Sequence, residues 1–313
     1  MLTTAFQCIG AAYLIYAAYR ILDFNSIWLL PKKSLSRYQR RPERAWALIT
    51  GASAGIGRGC AEELAARGFS VILLGHKPDE LALVQREINR NSPTVDVKVL
   101  VLDVIKATNA EIEQTFKTIS ALPITILVNN VGGVPIAQPA IRGFADQTAD
   151  EIDRTINLNA RFMAQLTRLM LPVLAQNGPS LMMNLSSIGH LGMLGVVPYS
   201  GTKAYVAAIS RGIARETKAS GRPVDIVAVL PVEVATESNN VALQPGTPTS
   251  RQFAKAMMDY VPRAASKGIL QLCPYWQHAV QMAIMEMLPE WLFTKIVLVS
   301  FKQKMALING KQK

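Results

Sequence analysis

A chain of 313 residues, half of them hydrophobic, can bury a large core and does not have the composition of a disordered protein. Its 33 Lys and Arg against 22 Asp and Glu leave a formal charge of +11, which suits an anionic cofactor, substrate or surface; the basic residues are scattered without a reader motif, so no nucleic-acid partner is expected. Cys8, Cys60 and Cys273, like His76, His190 and His278, are too dispersed for a disulfide framework or a metal cluster, and no metal site is expected.

The first 19 residues carry no charged side chain. As a helix they would span about 28 Å, close to the hydrocarbon thickness of a bilayer. Arg20 follows, then the apolar run ILDFNSIWLL, then Lys32, Lys33, Arg37, Arg40 and Arg41. This asymmetry predicts an N-terminal membrane-anchoring helix and basic connector over residues 1–42, with everything downstream on the cytoplasmic side.

A different pattern starts at Trp46. AWALIT reads as a strand, a glycine turn follows, and GRGCAEELAARGF reads as a helix with a glycine stop. VILLG, VDVKVLVLDV, ITILVNN, LMMNLSS and VDIVAVLP read as further strands, separated by helical segments that include 149–176 and 199–219. That alternation predicts an α/β fold, a Rossmann-like doubly wound parallel sheet within one domain over residues 43–313. After Pro231 a polar loop (236–252) leads to a C-terminal helical extension, QFAKAMMDYV, YWQHAVQMAIMEML and WLFTKIVLVSFKQKMAL.

The turn in ALITGASAGIGRG puts Gly51, Gly55 and Gly57 between strand and helix, where a pyrophosphate approaches backbone N–H groups at a helix N-terminus. The second strand ends in Gly75-His76-Lys77, with no carboxylate to hold ribose hydroxyls. Lys77, helped by His76, is suited to a 2′-phosphate, so NADP(H) is expected. Asp103 ends the third strand, where it could hold the adenine amine; Asn129 and Asn130 end the fourth, beside the crevice.

Tyr199 and Lys203 lie four apart on one helical face. Such a pair suits carbonyl reduction, with the tyrosine supplying a proton and a serine at the preceding strand end holding the oxygen. NLSS offers two serines, Ser186 and Ser187, and strand alternation lets only one face the substrate.

TGASAGIG, LVLD, NNVG, INLN, NLSS, YSGTK and PVEVAT together resemble the short-chain dehydrogenase/reductase family. The resemblance implies Tyr199 as acid/base, Lys203 as the group that lowers its pKa and binds the nicotinamide ribose, and Asn159, thirteen residues before Pro172, as a water anchor. Ser53, Ile56, Val234 and Thr236 join the implied cofactor contacts. The family pattern Asn-apolar-Ser-Ser favours Ser187, whereas thirteen-residue spacing back from Tyr199 favours Ser186; Ser187 is adopted here. Val232 stands where the family usually has glycine.

SLSRY, WALITGASAGIGRG, NNVG and YWQHAV…MLPEWLFTKIV further resemble the membrane-bound branch of very-long-chain 3-oxoacyl-CoA reductases and 17β-hydroxysteroid dehydrogenases. That implies a lipid-like ketone substrate, a long-chain 3-oxoacyl-CoA of fatty acid biosynthesis, and an enzyme at the endoplasmic reticulum membrane whose catalytic domain faces the cytoplasm. Steroid or secondary-metabolite oxidoreduction is the rival substrate reading, and a catalytically impaired cofactor- or lipid-binding scaffold the non-enzyme one. A homodimer through helices flanking the site is compatible with the resemblance.

Overall fold

Among the described residues, seven short strands form one parallel sheet in the order β3-β2-β1-β4-β5-β6-β7. They are β1 (Trp46–Thr50), β2 (Ser70–Gly75), β3 (Val97–Val101), β4 (Ile124–Asn129), β5 (Ser180–Leu185), β6 (Val224–Val229) and β7 (Gln271–Leu272). The computed structural model describes residues 2–39, 44–134, 141–237, 239–240, 243 and 245–310. Arg40, Arg41 and the expected domain boundary at 42/43 lie outside them.

The interior strands are buried on both faces, as their near-continuous Val, Ile and Leu content requires. Side chains alternate between two helical layers. Ile49, Leu73, Val128 and Met183 pack with α2 (Gly55–Ala66), α3 (Pro78–Asn91) and α8 (Ser250–Ser266). Leu48, Ile72, Leu127 and Met182 pack with α4 (Asn109–Lys117) and α6 (Phe162–Gln176). On that face also lies α7 (Val197–Ala219), which carries Ala214 into the same cluster. The chain reverses its winding between β1 and β4, so their carboxyl ends open a crevice where ligands bind in such sheets. The helical stretch predicted over 149–176 is α5 (Ala149–Ile156), a π-helical turn at Asn157–Arg161, and α6.

The C-terminal extension forms as predicted: α8, β7, α9 (Trp276–Met287) and α10 (Glu290–Gly310). The N-terminus corrects the sequence reading. Residues Leu2–Leu29 are one helix, α1, yet among the described residues no helix is long and apolar enough to cross a membrane. Thr3, Thr4, Gln7 and Gly10 dilute the apolar run, and Arg20 and Asp23 interrupt it. The second run instead packs on the α/β domain. Ile27 is buried, Trp28 Nε1 donates to the Pro274 carbonyl at 3.0 Å, and Lys267 Nζ lies 2.5 Å from Asp23. The expected membrane-anchoring helix, membrane partner, membrane-bound character and endoplasmic-reticulum membrane location with a cytoplasm-facing domain are therefore overturned. The connector docks as well: Tyr38 is fully buried and donates to Asp225 at 2.7 Å, beside Arg37 at 3.1 Å.

Candidate active site

At the end of β1, Gly51 and Gly55 adopt φ of +66° and +56°, conformations that favour glycine. Gly57 is needed for space: a Cβ there would lie 2.1 Å from the Gly51 carbonyl oxygen. Asn130, at the end of β4, donates through Nδ2 to the Thr50 carbonyl at 2.9 Å, and its own N–H donates to Thr50 Oγ1 at 2.9 Å. These bonds lace β1 to β4 across the crevice. The cradle built this way, followed by the first turn of α2, fits a dinucleotide pyrophosphate. Ser53 lies within this turn and Ile56 packs against the core beside it.

Lys77 sits at the N-cap of α3 and pairs with Glu80 at 2.7 Å; His76 beside it is exposed. Asp103, after β3, accepts from the Ile105 N–H at 3.1 Å. These residues gather at the carboxyl ends of β2 and β3, at the adenosine side of the crevice. Val234 is buried beyond β6, and Thr236 Cγ2 would stand 3.3 Å from a Cβ built on Gly55.

The second group forms where α7 begins. Tyr199 and Lys203 occupy successive turns, and Lys203 Nζ stands 5.5 Å from the Tyr199 ring centroid. Lys203 Nζ donates to the Leu185 carbonyl at 3.0 Å, and burial lowers its pKa to about 8. Burial raises the Tyr199 pKa, opposed by its hydrogen bond with Ser187. The direction differs from the expected lowering by Lys203, because the ammonium faces the ring while the phenol is desolvated.

The two serines diverge. Ser186 turns inward and donates to the Lys203 carbonyl at 2.7 Å, tying β5 to α7. Ser187 Oγ accepts from the Gly189 N–H at 3.0 Å, leaving its own proton for the Tyr199 oxygen. Gly189 matters to this approach, since a Cβ there would lie 3.1 Å from Tyr199 Cε1.

Asn159 is buried in the π-helical turn, an irregularity that recurs at functional sites. Its Oδ1 accepts from the Gly133 N–H at 2.9 Å, and Nδ2 donates to the Gly133 and Thr155 carbonyls at 3.1 and 3.0 Å. A Cβ on Gly132 would meet both Asn159 Oδ1 at 2.6 Å and Lys203 Nζ at 2.9 Å, so the two side chains share one small space. Asn129 serves a different purpose below the site, donating to Asn184 Oδ1 at 2.8 Å. Val232 is taken up by an apolar cluster with Leu230, Met282, Ile188 and Trp28.

Three participants were not assigned from sequence. Thr50 organises Asn130, although it stands in the quoted glycine motif. His190 Nδ1 lies 2.7 Å from the Ser187 carbonyl, with Nε2 3.8 Å from Glu286. Glu237 Oε2 accepts from the Gly55 N–H at 2.9 Å, a contact across 182 positions that no local pattern signals. Among the described residues, no group of three or more His, Cys, Asp or Glu is placed to hold a metal ion.

Comparison with known proteins agrees with this geometry. Residues 45–245 match the family described as short chain dehydrogenase. A very-long-chain 3-oxoacyl-CoA reductase of Ajellomyces capsulatus is 30% identical over 266 residues, covering 82% of this chain and 74% of that protein. One from Caenorhabditis briggsae is 28% identical over 301 residues, covering 94% and 93%. The solved short-chain dehydrogenase from Sphingobium yanoikuyae in complex with NADPH superposes with a TM-score of 0.63 at 27% identity, covering 79% of this chain and 97% of that one.

Proposed function

Because this chain belongs to the short-chain dehydrogenase family, we propose that it reduces the 3-keto group of long-chain 3-oxoacyl-CoA to the 3-hydroxyl. It is an NADP(H)-dependent short-chain dehydrogenase/reductase acting on a lipid-like ketone. The observation that carries the chemistry is Ser187 hydrogen-bonded to Tyr199 with Lys203 buried one turn away. The substrate choice is supported by the very-long-chain 3-oxoacyl-CoA reductases described above, both of which match most of this chain. The net charge of +11 also suits a substrate carrying a phosphorylated CoA head.

NADPH, when bound, supplies hydride to the carbonyl carbon. The protein's own task is the oxygen. Tyr199, kept protonated by burial, donates its phenolic proton to the developing alkoxide. Ser187 is held by the Gly189 N–H and presents its hydroxyl proton to the same region, stabilising negative charge on oxygen. Lys203, with its pKa near 8, exchanges a proton readily around neutral pH and is positioned by the Leu185 carbonyl. Asn159 fixes the Gly133 backbone beside it. The glycine cradle and Asn130 hold the pyrophosphate side, and Lys77 with His76 is suited to the 2′-phosphate.

The test is NADPH oxidation by the purified full chain with 3-oxohexadecanoyl-CoA, with the 3-hydroxyacyl product identified by mass. Turnover of this substrate is expected. Turnover of steroid ketones with none of any 3-oxoacyl-CoA would overturn the substrate assignment.

A further inference from the structure

On the basis of the cofactor assignment above, we propose that Glu237 is a built-in competitor for the cofactor pyrophosphate and sets how tightly NADP(H) is held. The N-termini of α4, α5 and α8 are closed by local capping boxes from Thr108, Thr148 and Thr249. That of α2 is not: its N-cap, Ala54, offers no side chain acceptor. Gly55 N–H, the first of the helix, is served instead by the Glu237 carboxylate at 2.9 Å. Free N–H groups there, at the positive end of the helix dipole, are what a phosphate oxygen needs. Glu237 gives the Gly55 N–H an anionic acceptor of the same kind.

The carboxylate is delivered by a turn with its own support. Thr236 and Asn239 exchange backbone hydrogen bonds at 3.2 and 3.1 Å, and Asn239 Nδ2 donates to the Val234 carbonyl at 3.0 Å. The turn therefore holds its shape without the Gly55 contact. Glu237 itself is exposed, so its side chain can leave for water when a pyrophosphate arrives. Leaving forfeits a charge-assisted hydrogen bond; staying sets two anions side by side. Both routes cost cofactor affinity and both favour release after the reaction. The carboxylate also fills the anion seat with the correct charge, which lowers the penalty of an unserved helix end.

The test is equilibrium binding of NADPH to the full chain, followed by cofactor fluorescence, for wild type, Glu237→Gln and Glu237→Ala. Both variants are expected to bind NADPH roughly threefold to tenfold tighter, through slower dissociation. Binding of 2′-AMP, which has no pyrophosphate, should stay the same. Unchanged or weaker NADPH binding in both variants would overturn the proposal, and so would equal tightening for 2′-AMP, which would mark a diffuse charge effect. A wild-type chain that binds 2′-AMP and NADPH not at all would overturn the cofactor assignment and, with it, this role for Glu237.

Discussion

Ser186 and Ser187 are neighbours in sequence with opposite duties: the Ser186 hydroxyl donates to the Lys203 carbonyl at 2.7 Å, while Ser187 is hydrogen-bonded to Tyr199. One ties α7 to its strand; the other faces the phenol to which the proton donation is assigned in the proposed reaction. Replacing each with alanine separates these duties. Ser187→Ala is expected to lower kcat by about a hundredfold with stability near wild type, the scale of losing one oxyanion donor. Ser186→Ala is expected to cost about 1 kcal/mol in urea unfolding with a smaller change in kcat. Steady-state kinetics and denaturation of both variants check the assignment; a larger kcat loss in Ser186→Ala would reverse it.

Tyr199→Phe keeps the ring that Lys203 faces and removes only the phenolic hydroxyl. Turnover is expected to fall by at least about a hundredfold. NADPH binding, measured by fluorescence, should be retained. Ordinary turnover in this variant would remove Tyr199 from the chemistry.

Lys203 makes stability depend on pH. Burial lowers its pKa from 10.5 to about 8. Below about pH 8 it is charged in both folded and unfolded chains, and burying the charge costs stability. Between that pH and 10.5 only the unfolded chain keeps the proton, so this group's contribution rises with pH, by as much as about 3 kcal/mol over the window. Urea unfolding of wild type against Lys203→Met across this range should show the wild type gaining relative to the variant. Parallel curves would mean that the lysine titrates alike in both states.

Lys77 is paired with Glu80 on an exposed helix end, an ion pair worth little to stability. Its proposed value lies in recognising the 2′-phosphate of NADPH. Lys77→Ala is expected to weaken NADPH binding about tenfold, with the NADH affinity and the melting temperature nearly unchanged. Equal losses for both cofactors would take the 2′-phosphate away from Lys77.

The strand and helix order was legible because buried parallel strands read as short apolar runs between amphipathic helices. The Tyr199–Lys203 pair was legible because one helical turn places them together. The serine register was not, since spacing back from Tyr199 runs through a 3-10 turn at Ile188–Leu191 and a left-handed Gly192, which set the loop length. Glu237 was invisible because its partner lies 182 positions away in the sequence. For α1, hydropathy registered the apolar side chains but not the surface that receives Ile27 and Trp28.

That surface has a second consequence. β7 is only two residues long and is the last strand on its side, so it presents unpaired backbone groups outward. The last turns of α1 reach it, with Ile27 in one core cluster with Leu272 and Trp28 anchored to the carbonyl of Pro274 just past its end. Side chains packed against a terminal strand hinder another chain from adding a strand there. The opposite border, β3, carries the exposed Lys98 as its second residue, a charge that discourages the same event. The last turns of the N-terminal helix thus cover part of that border, and shortening the chain from its start through Trp28 is expected to leave β7 more open to strand addition.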